Sequence, residues 1–312
     1  MNDQSDPQTT TNRSTCFDGQ AQTPSRVLAE LLEILKLEKI EENIFRGFNV
    51  DLGIDNVFGG QVLGQALSAA SQTVPSDRRA HSLHAYFMRH GDRSIPIIYN
   101  VDCIRDGKSF TTRRVVAVQK GRAIFSMAAS FHINEPGFEH HDKIPDVPGP
   151  QGIPSEQELA ATASSQLPKR VLNRVLSGFP IEFRHVNPVE PFNPQQLPPH
   201  KYIWFRTCGP LPDDPAVQRS ILSYASDFNL VVTSLYPHGH TIWEKDVMAA
   251  SLDHAMWFHR EFRMDDWLLY AVDSPNAGNA RGLGIGKIFN RQGALVATVA
   301  QEGLIRYLPF SR

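Results

Sequence analysis

Between residues 23 and 74 the apolar positions recur every three or four residues, the period of helices lying on a core. In "TPSRVLAELLEILKL", Val27, Leu28, Leu31, Leu32 and Leu35 form one stripe, with Thr23 placed to cap and Pro24 at the first helical position. "VFGGQVLGQALSAASQTV" (57–74) opens on two glycines and runs in helix-forming residues to Pro75; Ala66, Ala69 and Ala70 suit a helix lying close against a sheet. The pattern then turns β-rich in "HSLHAYFM", "IIYNVDCIR", "FTTRRVVAVQ" and "RAIFSMAASFHI", with "QKGRA" reading as a hairpin turn between the last two. A helix followed by about four antiparallel strands predicts an α+β module.

The order then repeats. A helical run, "PAVQRSILSYASDFNLVV", precedes strands in "VMAASLDHAMWFHR", "DWLLYAVDS", "RGLGIGKIFN" and "ALVATVAQEGLIRY". Ile97–Asp102 matches Leu268–Asp273 at an offset of 171, His84-Ala85 matches His254-Ala255 at 170, and Gly121 matches Gly293 at 172. This is a tandem duplication. Pairing the two copies edge to edge would make one sheet and remove an exposed edge from each. The expected organisation is a disordered polar tail over 1–22, a first module over 23–135, a linker over 136–200 and a second module over 201–312. Twelve of the 22 prolines fall between Pro136 and Pro199, and "ASSQLPKRVLNRVL" is the one helix expected there.

Length and composition fit this picture: 312 residues suit two domains, each able to bury a core. A net charge of −2 gives no global bias toward nucleic acid. Three dispersed cysteines (Cys16, Cys103, Cys208) suggest a reducing compartment, and the start has neither the basic nor the apolar region of a secretory signal, so the cytoplasm is expected. No apolar run reaches the length of a membrane span.

The differences between the copies point to chemistry. At the 172 offset Ala129 becomes Gln301, so the second copy gains an amide. Ser251 and Asp253, two apart, are expected on one strand face, and Asp227 stands in an apolar helical run where a carboxylate must be paired or have a perturbed pKa. Each has a structural alternative: an ion pair for Asp227, a backbone hydrogen bond for Ser251, an exposed edge position for Gln301. His254, beside Trp257, reads as a core histidine. "GLGIGK" fits neither a P-loop nor a dinucleotide fingerprint and reads as a glycine-loosened strand; no G-x-S-x-G or H-E-x-x-H occurs, and the loop histidines do not make a metal site.

Together "VFGGQVLGQAL", "RDGKSFTTRRV", "SYASDFNL", "SLDHAMWFHR" and "AQEG" resemble the acyl-CoA thioesterase II (TesB-type) family, from about residue 25 to residue 307. The resemblance implies a double hotdog, an α+β fold in which each half wraps a curved antiparallel sheet around a long helix. It implies hydrolysis of fatty acyl-CoA to a free acid and coenzyme A with no cofactor, by a water held by Asp227, Ser251 and Gln301. Asp253 is then structural, and a homo-oligomer is expected. The backbone at Gly59-Gly60-Gln61 is the candidate oxyanion donor, Arg89, Arg105, Arg113 and Arg114 are unassigned cations for coenzyme A, and His254 is expected on the strand face opposite Ser251. Two rivals remain: a hotdog hydratase or dehydratase pairing Asp227 with His254, and a non-catalytic acyl-CoA-binding protein.

Overall fold

The computed structural model describes residues 25–52, 56–162, 178–190 and 192–308. The expected tail, and the helix expected in "ASSQLPKRVLNRVL", lie outside the described residues. The first helix, α1 (Arg26–Leu35), is capped by Ser25, whose side chain accepts from Leu28 N–H; Thr23 and Pro24, expected at its start, lie outside the described residues. It buries Leu28, Leu31 and Leu35. A hairpin of β1 (Glu38–Glu41) and β2 (Ile44–Gly47) follows, turning at Asn43 with φ 61°; the sequence pattern did not mark it. Then come α2 (Gly59–Ser71), β3 (Arg79–Phe87), β4 (Ile97–Asp106), β5 (Phe110–Gln119) and β6 (Arg122–His132). Lys120 and Gly121 have φ of 49° and 69° at the β5–β6 turn, as a two-residue hairpin on the "QKGRA" pattern requires.

The segment 136–200 is more than a tether. It holds α3 (Glu156–Thr162) and β7 (Ile181–His185), and β7 pairs with β8 (His200–Thr207), so the second half's part of the sheet takes a strand from inside the expected linker. Its Ile144, Val147 and Ile153 cover Trp204, Trp267 and Leu269 on the outer face of that sheet, and Trp204 donates to the Pro148 carbonyl at 2.8 Å.

The second half continues with α4 (Pro215–Ser226), a 3₁₀ turn over Val231–His238, β9 (Val247–Ser251), β10 (Asp253–Phe258), β11 (Leu268–Gly278), β12 (Arg281–Asn290) and β13 (Leu295–Tyr307). All named strands join one antiparallel sheet of thirteen, in the order β1-β2-β4-β5-β6-β3-β10-β13-β12-β11-β8-β7, with β9 also on β13. The seam is β3 against β10, Leu83 opposite Met256. The fold is therefore the tandem hotdog that the resemblance implied. Edge-to-edge pairing at the seam gives each half's inner edge a partner.

The register corrects one offset. His84 pairs with Ala128 as Ala255 pairs with Ala300, shifts of 171 and 172, so His84 corresponds to Ala255 and the shared His-Ala letters at 170 are one residue out of step. The long helices α2 and α4 lie against one another on the concave face. A Cβ on Gly64 would come 2.8 Å from the Ser220 carbonyl, so only glycine admits this approach. One continuous core then runs through both halves, from Leu63 and Leu67 to Ile221 and Leu222.

Candidate active site

The close crossing of the helices decides where Asp227 stands. α4 starts at Asp214, whose side chain accepts from Ala216 N–H at 2.8 Å, and ends on Asp227 in the right-handed helical conformation. Tyr270 steadies that end by donating to the Ser226 carbonyl at 3.0 Å, a group the helix itself leaves unpaired. The Asp227 carboxylate meets the N-terminus of α2, and Gly60 N–H donates to it. A Cβ on Gly59 would lie 2.7 Å from Asp227 Oδ2, and one on Gly60 would collide with the Tyr224 carbonyl, so the paired glycines are what let helix and carboxylate meet.

Two further donors reach the same carboxylate. Ser251 Oγ donates to Asp227 Oδ1 at 3.1 Å, and Gln301 Nε2 donates to the same oxygen at 2.5 Å. Residues 227, 251 and 301, proposed from the sequence, thus converge on one carboxylate, joined by hydrogen bonds. Burial pushes the Asp227 carboxyl up, opposed by its bonds from Gln301, Ser251 and Gly60. The group keeps partial exposure although protein surrounds it, while Gln301 is fully buried.

Asp253 does not join them. Leu252 interrupts the strand: Ser251 pairs with Gly303 whereas Ala255 pairs with Ala300, so one extra residue sits on the β9–β10 side, a β-bulge. The bulge leaves Glu302 N–H to bond Asp253 Oδ1 at 2.7 Å, so Asp253 ties the two strands together. It also resets the alternation of side chains. His254 therefore does not project opposite Ser251; it turns to the helix side, fully buried, with Nε2 3.0 Å from Ser226 Oγ. Burial holds its pKa down at about 3, so the ring is neutral.

The oxyanion expectation at Gly59-Gly60-Gln61 meets a conflict: Gly60 N–H is engaged by Asp227, and Gln61 N–H by the Phe58 carbonyl at 3.1 Å. The Gln61 side chain, fully buried, donates to Asn49 Oδ1 at 2.8 Å and so anchors a loop. Arg113 and Arg114 are occupied too, by Asp106 at 2.7 Å and by Asp102 at 2.5 Å. Sequence reasoning missed the aromatic wall beside the carboxylate. Phe58 and Phe228 lie with ring centroids 4.2 Å apart and planes tilted by 32°, and Phe179 and Phe183 contact Phe228. Phe58 precedes the paired glycines and Phe228 follows Asp227, and that adjacency was the available signal.

A tandem hotdog carrying a half-buried carboxylate fed by a hydroxyl, an amide and a helix N-terminus belongs to the class of hotdog-fold proteins with an enzyme-like polar centre. Residues 50–132 match the acyl-CoA thioesterase N-terminal domain and residues 176–304 match acyl-CoA thioesterase. Acyl-CoA thioesterase 2 of Haemophilus influenzae is 43% identical over 283 residues, 91% of this chain and 99% of that one. Human acyl-coenzyme A thioesterase 8 is 39% identical over 285 residues, 88% of each chain. The crystal structure of acyl-CoA thioesterase II TesB2 from Mycobacterium marinum superposes with a TM-score of 0.73 at 40% identity, covering 89% of this chain and 99% of that one. The chain belongs to the acyl-CoA thioesterase II (TesB-type) family.

Proposed function

We propose that the protein hydrolyses fatty acyl-CoA thioesters to a free acid and coenzyme A, with Asp227 as general base, and Ser251 and Gln301 as its partners. The observation that carries this reading is the convergence of Ser251 Oγ and Gln301 Nε2 on Asp227 Oδ1, at 3.1 and 2.5 Å. Burial raises the carboxyl pKa, which makes the ionised group a stronger base than an exposed aspartate, while the donors hold it in place. A water beside Asp227 and Ser251 gives its proton to the carboxylate as its oxygen attacks the thioester carbonyl. The tetrahedral adduct collapses, the carbon–sulfur bond breaks, and the proton on Asp227 passes to the departing thiolate. No cofactor is required, because a thioester carbonyl is already electrophilic and the orientation of one water supplies the catalysis. The wall of Phe58, Phe179, Phe183 and Phe228 is the apolar surface for the acyl chain.

A covalent ester on Ser251 is disfavoured, since the nearby His254 bonds Ser226 and does not activate that hydroxyl. The same contact weighs against a hydratase in which Asp227 and His254 share a proton. The free thiols of Cys103 and Cys208 suit a reducing compartment, the cytoplasm in our reading. Coenzyme A release from a saturated acyl-CoA, followed with a thiol reagent, tests the function. Hydrolysis predicts turnover, because a saturated chain offers nothing to hydrate. Binding without thiol release would favour a carrier instead.

A further inference from the structure

Behind the proposed base lie two buried polar atoms with no hydrogen-bond partner among the described residues, Gln301 Oε1 and His254 Nδ1. Both side chains are fully buried, so bulk water does not satisfy them, and such atoms are rare in folded proteins. They belong to neighbours. Ala255 pairs with Ala300 across β10 and β13, which sets His254 beside Gln301 one step further along the same strands. Their other ends reach consecutive residues at the close of α4: His254 Nε2 to Ser226 Oγ at 3.0 Å, and Gln301 Nε2 to Asp227 Oδ1 at 2.5 Å.

The proton inventory fixes what lies between them. Ser226 Oγ donates to the Ser223 carbonyl at 3.0 Å, and a hydroxyl has a single proton, so the proton of the contact with His254 sits on Nε2. The neutral ring then carries a bare lone pair on Nδ1. An amide oxygen is likewise an acceptor. Two adjacent acceptors call for one molecule with two donors, and a buried water is that molecule.

We propose that His254 is a positioning residue for the hydrolysis: with Ser226 behind it, the imidazole shares one buried water with Gln301 Oε1, and this keeps the Gln301 amide nitrogen on Asp227. The inference rests on the reading of Asp227 as base. Rotation of the amide by half a turn would present its oxygen to the carboxylate, two acceptors face to face, and the donor that holds the base would be gone. Rotation would also turn the amide N–H toward the water and leave one of the water's two protons without an acceptor, so the water shared with His254 opposes that orientation. The imidazole thus acts through Gln301 and never meets the substrate.

A double-mutant cycle tests this. His254→Phe retains a ring of similar size and removes the acceptor. It is expected to lower kcat about tenfold with KM within about twofold, because the loss falls on the chemical step. In a Gln301→Ala background, the same change is expected to cost nothing more. Wild-type kcat in folded His254→Phe overturns the proposal, as do losses that multiply in the double variant. Should His254→Phe fail to fold, the cycle is run with His254→Leu, which carries no polar atom at the Nδ1 position; coupling to Gln301 supports the proposal and independent losses overturn it. Asp227→Asn in the same series separates the two levels. If Asp227→Asn is inactive and His254→Phe is fully active, only the positioning role fails. Turnover undiminished in Asp227→Asn removes the base itself.

Discussion

The two halves share a sheet register and place opposite things on it. Ala80 faces Phe131 as Ser251 faces Gly303, and Arg113 faces Ala129 as Gly284 faces Gln301. Ser251 therefore has Ala80 as its counterpart, and Gln301 has Ala129. Where α4 ends on Asp227, α2 ends on Gln72. The first half turns the same positions to structural use. Buried Arg113 donates to Thr73 Oγ1 at 2.9 Å and to Asp106 at 2.7 Å, and Arg219 reaches across to the Ala80 carbonyl at 3.0 Å and to Glu261 at 3.0 Å. In the second half Gly284 stands at that position, and Leu230 fills the room: a Cβ on Gly284 would come 2.8 Å from the Leu230 carbonyl. On the proposed reading, a duplicated frame concentrates reactivity at one helix end and mechanical support at the other.

Breaking the reactive end is expected to have the largest effect. Asp227→Asn should lower kcat by about 10² or more, measured as coenzyme A release. The protein should melt no lower than wild type. A carboxyl whose folded pKa lies above its unfolded value contributes stability below the unfolded pKa and loses it as pH rises through the folded one, so at neutral pH the ionised group is a net cost. Gln301→Ala should reduce kcat by about 10 to 10², with stability changed less than activity; an equal loss of folding would make Gln301 structural. The wild-type rate should fall on acidification at a pH above the ordinary aspartate range, because Asp227 must be ionised to act, and a rate–pH profile reads that limb. Arg219→Ala should destabilise by about 1–3 kcal/mol in denaturant titration yet leave kcat within about twofold, since it removes bonds of the supporting end only. Smallest of all, Ala80→Ser should change turnover hardly at all, as the helix of the first half ends on Gln72 where that of the second ends on Asp227.

Much of this contrast was legible in the sequence. Helical periodicity located α1, α2 and α4, and the offset repeat exposed the duplication, including Ala129 against Gln301. Motif resemblance then named Asp227, Ser251 and Gln301. What escaped has physical reasons. β1, "EKIE", is wholly exposed and carries no alternation to detect, and β7 and β8 lie in or just after a proline-rich stretch that reads as linker. The bulge at Leu252 is silent because "VMAASLDHAMWF" is strand-like throughout, yet it turns His254 toward the helix and sets Asp253 on the Glu302 amide. The engagement of Gly60 N–H by Asp227 is a contact between halves, beyond any local pattern. Register and long-range contact decide such details, and a single sequence encodes them only through the finished sheet.

The most direct test of the contrast is to count the substrate molecules bound by one chain. Asp227→Asn, folded and slow to hydrolyse, can be titrated calorimetrically with an intact acyl-CoA. One molecule per chain, with the Phe228→Ala change added to weaken it, is the predicted result. Two equivalent molecules per chain would contradict the account, because the first half would then have kept a working site of its own.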